Sequence, residues 1–327
     1  VTAVHLELSA EADEFGRQAR RALQAAGGDQ LVQDAEAKPE TRDTRVAAIL
    51  DELGAWDLSP RDDADSREAA AALCRAAGYW ALPYPVAERL SRPEDLDVEG
   101  LVVVSADRPE AALGGLSGRW AAVTIDGARS LAGRGPHIGP AFVTGLELSG
   151  LDGRGVGDLA LALVLPCWTL LGMIDRALEL TLDHVRLRKQ FGQPLSSFQG
   201  VQFQLTDAEV ERSGLDILAR HALCSLDGDG TDPATHTDTD PATDTAIDDA
   251  LALRMAAIEA AEVVFRVCHQ LHGAVGFCDE TTLSWLSRHS QPLRRLPFGL
   301  SATRDQLTRR IDRRGLTGLF PSSGGRR

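Results

Sequence analysis

The long apolar run from Asp158 to Arg188 constrains this chain more than any other stretch. Leu163, Leu170, Ile174, Ala177, Leu178 and Leu182 fall at helical spacing and supply a broad apolar face, so the run reads as one long helix against a core. Pro166 near its start predicts a kink or separate first turns. The helix ends in Arg188-Lys189-Gln190-Phe191-Gly192-Gln193-Pro194, which reads as a tight turn. Ser196-Ser197 then open a second helix, Phe198 to about Ser225, where a hydroxyl can accept from free helix N–H groups. Taken alone, this corner equally fits a plain helix–turn–helix with Arg188 on a solvated face.

Other helical runs follow and precede it. Ile247 to Leu271 returns to core spacing and runs into Gln270-Leu271-His272-Gly273-Ala274-Val275-Gly276-Phe277. Leu283 to His289 and Ala302 to Arg313 are two further helices. Upstream, Ser9 reads as the N-cap of a helix to about Ala26, with Phe15, Ala19, Ala22 and Leu23 on one face. Thr44 to Leu53 and Asp65 to Ala77 are also helical, stopped by Gly54 and Gly78, and Val86 to Leu90 adds one turn. Between the helical blocks the period changes. Leu101-Val104, Trp120-Ile125 and Pro140-Leu148 are β-rich runs separated by glycine and proline, and predict a small antiparallel sheet. The divisions expected are a helical unit over 1–95, a short β unit over 96–156, a helical unit over 157–320 and a tail over 321–327.

Residues 227–244 are acidic, apolar-free and nearly repeat Thr-Asp-Pro-Ala-Thr, which predicts a mobile loop. Their Asp-x-Asp-x-x-Asp start has a misplaced glycine and no closing glutamate for a calcium loop. The net charge of −14 argues against a nucleic-acid partner. No run reads as a membrane span, and Val1 to Ser9 lacks the basic and apolar regions of a signal peptide. The cysteines (Cys74, Cys167, Cys224, Cys268, Cys278) are scattered, and none forms a CxxC pair. A reduced cytosolic protein without a metal site is expected.

Two motifs then carry a resemblance. Arg188-Lys-Gln-Phe-Gly-Gln-Pro-Leu-Ser-Ser-Phe-Gln199, followed by Val201-Gln202 and Leu205, resembles the acyl-CoA dehydrogenase family around its central helix pair. Gln270 to Phe277 resembles the same family's Gln-x-x-Gly-Gly-x-Gly-Phe turn, with Ala274 in place of one glycine. The resemblance implies a mainly α fold with a small β domain: an N-terminal helical domain, a reduced middle β domain and a C-terminal four-helix bundle. It implies FAD as cofactor, with Arg188, Gln199, Gln270, Gly273 and Ala274 at its pyrophosphate and adenine end and Phe191 packed beside the adenine. In the family these contacts cross to a flavin held mainly by the neighbouring chain. A forked guanidinium suits phosphate, and glycine lets backbone approach it. His272 reads as a buried, satisfied histidine rather than a catalytic one.

The resemblance also exposes an absence. The family reaction dehydrogenates an acyl-CoA thioester, with a glutamate taking the α-proton. Phe298-Gly299-Leu300-Ser301 stands where the Tyr-Glu-Gly-Thr turn is expected, so Gly299 replaces the base. The second family position, counted back from Phe191-Gly192, falls at about Ala162. Asp158 and Asp305 are the nearest carboxylates in sequence and read as helix-end charges. The flavin-ring segments of the β unit are missing, with Ser117-Gly118-Arg119-Trp120 the nearest fragment. The arrangement resembles the glutamate-less chain of bacterial α2β2 acyl-CoA dehydrogenases of the steroid side-chain type, to which Ala81 to Glu88 is also similar. The expectation is a subunit that completes the FAD site of a glutamate-bearing partner. The alternatives are a self-sufficient homo-oligomeric dehydrogenase with a relocated base, Asp158 or Asp305, and a non-catalytic binding or assembly homologue.

Overall fold

A computed structural model describes residues 7–137, 139–226 and 241–314. Helices α1 (Ala10–Ala25), α2 (Gln30–Ala37), α3 (Arg42–Glu52), α4 (Ala64–Tyr79) and α5 (Val86–Leu90) come first. Ser9 caps α1 as expected, its hydroxyl accepting from the Ala12 N–H. The short α2 has no side-chain cap and leaves no strong signal in the sequence, yet buries Leu31, Val32 and Ala35. Gly78 does not stop α4 but lies inside it. A Cβ there would stand 1.8 Å from the Thr169 carbonyl oxygen of the long central helix. The glycine is a contact point between two helices rather than a terminator.

The sheet holds β1 (Gly100–Val104), β2 (Glu110–Ala111), β3 (Trp120–Thr124), β4 (Ala128–His137) and β5 (Thr144–Arg154), in the order β1-β3-β4-β5-β2. It is mixed rather than antiparallel throughout, because β1 runs parallel to β3 from Gly100 opposite Trp120 to Val104 opposite Thr124. β4 carries no apolar alternation. Its pairing with β3 on one side and β5 on the other specifies it. The third expected strand begins at Thr144 and continues to Arg154, later than the apolar run suggested.

The C-terminal half is α6 (Val156–Leu187), α7 (Gln199–Cys224), α8 (Pro241–His272), α9 (Thr282–Arg295) and α10 (Leu300–Arg314). α8 packs against α6, α7 and α10, and α9 lies against α6 and α8. α6 is continuous through Pro166 and buries Trp168, Leu170, Leu171 and Ile174 completely or nearly so. By length and composition it is apolar enough to cross a membrane, contrary to the sequence reading, but 78% of its most apolar window is buried inside the fold. A helix that is hydrophobic on most sides belongs in a core. Leu182, expected on its inner face, is 37% exposed near the helix end. Residues 241–244, expected in a loop, form the first turn of α8, while 227–240 and the tail 321–327 lie outside the described residues.

Buried and half-buried arginines tie the elements together. Arg42 of α3 donates to the carbonyls of Pro83, Ala112 and Gly114, tying the first helices to the loop after β2. Arg254 of α8 donates to the carbonyls of Leu293, Leu296 and Phe298. Between α4, α6 and α7, Arg75 binds Asp175 at 2.6 Å and Asp216 at 3.0 Å.

Candidate cofactor edge and junction cavity

The order of the bundle decides where the two motifs meet. Arg212 on α7 pairs with Asp175 on α6 at 3.5 Å, and α7 turns back along α6. α8 then runs in the direction of α6, its Cys268 thiol donating to the Ala177 carbonyl at 3.5 Å. The C-termini of α6 and α8 therefore share one end of the bundle with the N-terminus of α7. His184, one turn before Arg188, stacks on His272, which immediately precedes Gly273, with ring centroids 4.3 Å apart. Motifs some eighty positions apart in sequence are brought to one surface.

The Arg188 corner is a two-residue hairpin. β6 (Lys189–Gln190) pairs with β7 (Gln193–Pro194) around Phe191 at φ +52° and Gly192 at φ +82°. Left-handed values at both turn positions match the twist of the flanking strands. They suit Gly192 and strain Phe191, whose bulky side chain is 93% exposed and meets Phe198 edge to face, ring centroids 6.3 Å apart. Ser197 does not cap α7. Its hydroxyl donates to the Pro194 carbonyl within a 3-10 turn, so the first N–H groups of α7 have no side-chain cap.

Arg188, Gln199, Gln270, Gly273 and Ala274 are all exposed. Among the described residues the side chains of Arg188, Gln199 and Gln270 make no hydrogen bond or ion pair. Gly273 takes φ +64° with nothing within 4 Å of a Cβ built on it, which leaves open backbone at the turn. Ala274 is not at positive φ, so alanine costs nothing where the family pattern has glycine. An unpaired guanidinium, uncapped helix N–H groups and an open glycine turn fit an anionic, diphosphate-bearing group.

The carboxylates that sequence proximity suggested are elsewhere. Asp158 is bound by Arg61 at 3.0 Å and Arg129 at 3.2 Å, though burial still pushes its carboxyl up. Asp305 is exposed on α10. Ala162 instead lines a cavity of about 120 Å³ at the junction of α4, α5, β1 and α6, whose wall also includes Arg42, Glu88, Met173 and Leu296. Glu88 keeps some accessible surface, turned to this cavity, and burial raises its carboxyl above the usual glutamate range while Arg42 opposes the shift. Among the described residues no side chain pairs with it. Burial also lowers Arg42 to about 9. The sequence reading missed Glu88, because nothing in Val86-Ala-Glu-Arg-Leu90 marks its carboxylate as inward-facing. A cavity that admits benzene is about 150 Å³, so a three-ring flavin does not enter this one.

Comparison with known proteins agrees with this architecture. Residues 161–302 match the family model for the acyl-CoA dehydrogenase C-terminal domain. Acyl-CoA dehydrogenase FadE28 of Mycobacterium tuberculosis is 34% identical over 105 residues, which are 32% of this chain and 27% of that protein. The chain thus spans a minor part of that relative in the aligned region. The ChsE4-ChsE5 complex from Mycobacterium tuberculosis has a chain similar at TM-score 0.73 and 16% identity, covering 96% of this chain and 100% of that one. A variant of the Tcur3481-Tcur3483 steroid ACAD is similar at TM-score 0.72 and 18% identity, covering 94% and 99%. The fold is that of the acyl-CoA dehydrogenases, mainly helical with a small sheet. The family match and the relatives support that family for the chain.

Proposed function

We propose that this chain is the glutamate-less subunit of an FAD-dependent acyl-CoA dehydrogenase, paired in an α2β2 assembly with a homologous glutamate-bearing subunit. The assembly would carry out α,β-dehydrogenation of an acyl-CoA thioester. One contrast carries the reading. Arg188, Phe191, Gln199, Gln270, Gly273 and Ala274 lie exposed at one end of the bundle, the side chains of Arg188, Gln199 and Gln270 without a hydrogen bond or ion pair among the described residues, while the cavity beside Ala162 holds only about 120 Å³.

In this reading Arg188 forks onto the pyrophosphate of a flavin seated in the partner, beside the N-terminus of α7, which has no side-chain cap. Gln199 and Gln270 offer amide donors and acceptors to the adenosine end, Phe191 packs against the adenine, and the open turn at Gly273 and Ala274 admits close backbone contact. FAD, when bound, supplies the acceptor for the substrate's β-hydride. The α-proton falls to the partner's glutamate, since Gly299 and Ala162 provide none. A steroid side-chain thioester is the substrate class favoured by likeness to the Tcur3481-Tcur3483 steroid ACAD.

Expression alone and together with the glutamate-bearing homologue tests this. Flavin absorbance and acyl-CoA oxidation are expected only from the co-expressed complex, and Arg188→Gln should strip flavin from it. Full activity from the isolated chain would overturn the proposal. A second reading, the self-sufficient enzyme, gains one observation: Glu88 faces the cavity that Ala162 lines. It requires activity in the isolated chain that Glu88→Gln abolishes.

A further inference from the structure

Two imidazoles stand beside Arg188 that the family resemblance gives no role. His184 and His272 are half-buried, and their ring planes lie 21° from parallel. The Nδ1 of His272 is 2.9 Å from the Cys268 carbonyl oxygen. A carbonyl only accepts, so Nδ1 carries the hydrogen and Nε2 holds the free lone pair.

The groups given as acting on the pair bring no negative charge to it. Arg188, just past the end of α6, acts on His184. His269 from α8 is coupled to His272, and Arg294 from α9 acts on His269 in turn. Asp183, beside His184 in sequence, faces Arg186 at 3.7 Å. Among the described residues no carboxylate bonds to either ring. Burial, then the neighbouring charges, hold His184 below the usual histidine range, and burial holds His272 low against its bond to Cys268. The pair is neutral near pH 7. One proton would place an imidazolium over an imidazole face, which attracts; a second would stack two cations, which repel. The pair has room for one proton, and among the described residues it has no bonded counter-anion.

We propose that His184 and His272 are binding residues of this edge, and that the stacked pair takes up one proton as a diphosphate group docks beside Arg188 and the Gly273 turn. The inference rests on the reading of this bundle end as a cofactor edge. The ligand class is the nucleoside diphosphate part of a dinucleotide. The proton comes from solvent and goes to an imidazole nitrogen such as Nε2 of His272. No covalent bond forms or breaks in the ligand. An arriving anion favours the charged imidazole, and by reciprocity protonation favours the anion. Binding therefore strengthens as pH falls through the range between the free and bound values of the pair.

The test is calorimetry of the co-expressed complex, freed of flavin, with ADP as probe, in buffers of differing ionisation heat, from about pH 6 to about pH 8. Uptake of about one proton per ADP is expected, with affinity falling about tenfold per pH unit inside that range. His272→Gln and His184→Gln should bind ADP with the uptake abolished, and urea midpoints check that both still fold. ADP binding without proton uptake, or uptake unchanged in both histidine variants, overturns this proposal and leaves the cofactor edge standing. Failure of ADP to bind, or equal binding by Arg188→Gln, removes the cofactor-edge reading and this inference with it.

Discussion

The Arg254 guanidinium donates to the Phe298 carbonyl at 2.9 Å, one residue before Gly299. It also reaches the carbonyls of Leu296 at 2.5 Å and Leu293 at 3.0 Å. The segment from Leu293 to Phe298, next to Gly299, is thus fastened from α8 by a buried cation, with no carboxylate bonded to that cation among the described residues. Burial lowers the guanidinium from its ordinary value. Charge-assisted bonds to carbonyls replace part of the lost hydration.

Removing that clamp should cost stability before it costs anything else. Arg254→Met leaves the three carbonyls without this donor, and a loss of about 3 kcal/mol is expected, within the range for breaking a buried polar network. Arg254→Lys keeps the charge without the fork and should fall between. Urea midpoints at constant slope measure both. A methionine variant within about 0.5 kcal/mol of the parent would show that the segment holds itself.

Phe191 separates strain from binding. Its left-handed backbone costs a bulky residue about 1–3 kcal/mol, and its side chain, 93% exposed, recovers little by packing. Phe191→Asn, which accepts positive φ, should raise stability by up to about 1 kcal/mol, read from the urea midpoint and slope, and, on the proposed function, weaken flavin retention in the co-expressed complex. If stability falls instead, the Phe191–Phe198 contact is worth more than the strain.

The sequence made the long elements legible because they obey one rule each. α1, α6 and α8 carry the 3.6-residue period over many turns, and Ser9 announces the first of them. β4 was illegible because Ala128 to His137 alternates in nothing, its place being set by two neighbours distant in sequence. Gly78 misled because a stop signal and a close-packing glycine look alike until Thr169 is seen across the interface. At the site, Arg188 and the Gln270 turn could be named from local motifs. His184, Glu88 and Arg254 could not, since each draws its meaning from a partner on another element.

Glu88 makes a pH prediction with a definite sign. Its folded carboxyl is raised above the ordinary 4.5, mainly by burial. The folded chain therefore binds this proton more tightly than the unfolded chain. The associated stability is fully present below the unfolded value and is lost as pH rises through the folded one. Glu88→Gln should be more stable than the parent near neutral pH, with the difference shrinking as pH falls to about 4.5. Thermal midpoints across that range measure it. A glutamine variant less stable at every pH would mean that the ionised carboxylate is held favourably by Arg42.

Two glycines distinguish a lost residue from a forbidden one. A Cβ on Gly78 would sit 1.8 Å from a helix backbone oxygen, where neither α4 nor α6 can yield locally. Gly78→Ala is expected to destabilise by about 3 kcal/mol or to prevent folding. A Cβ on Gly299 meets nothing within 4 Å, and the residue is not at positive φ. Gly299→Glu should therefore fold with a thermal midpoint close to the parent's. On the proposed function it supplies the missing carboxylate type, without enlarging the cavity of about 120 Å³ beside Ala162. The isolated Gly299→Glu chain should consequently remain inactive towards acyl-CoA, because a base acts only on a substrate that can be held against a flavin. Dehydrogenase activity from that single substitution would mean that the chain builds a complete flavin pocket of its own, and that only the base had been missing.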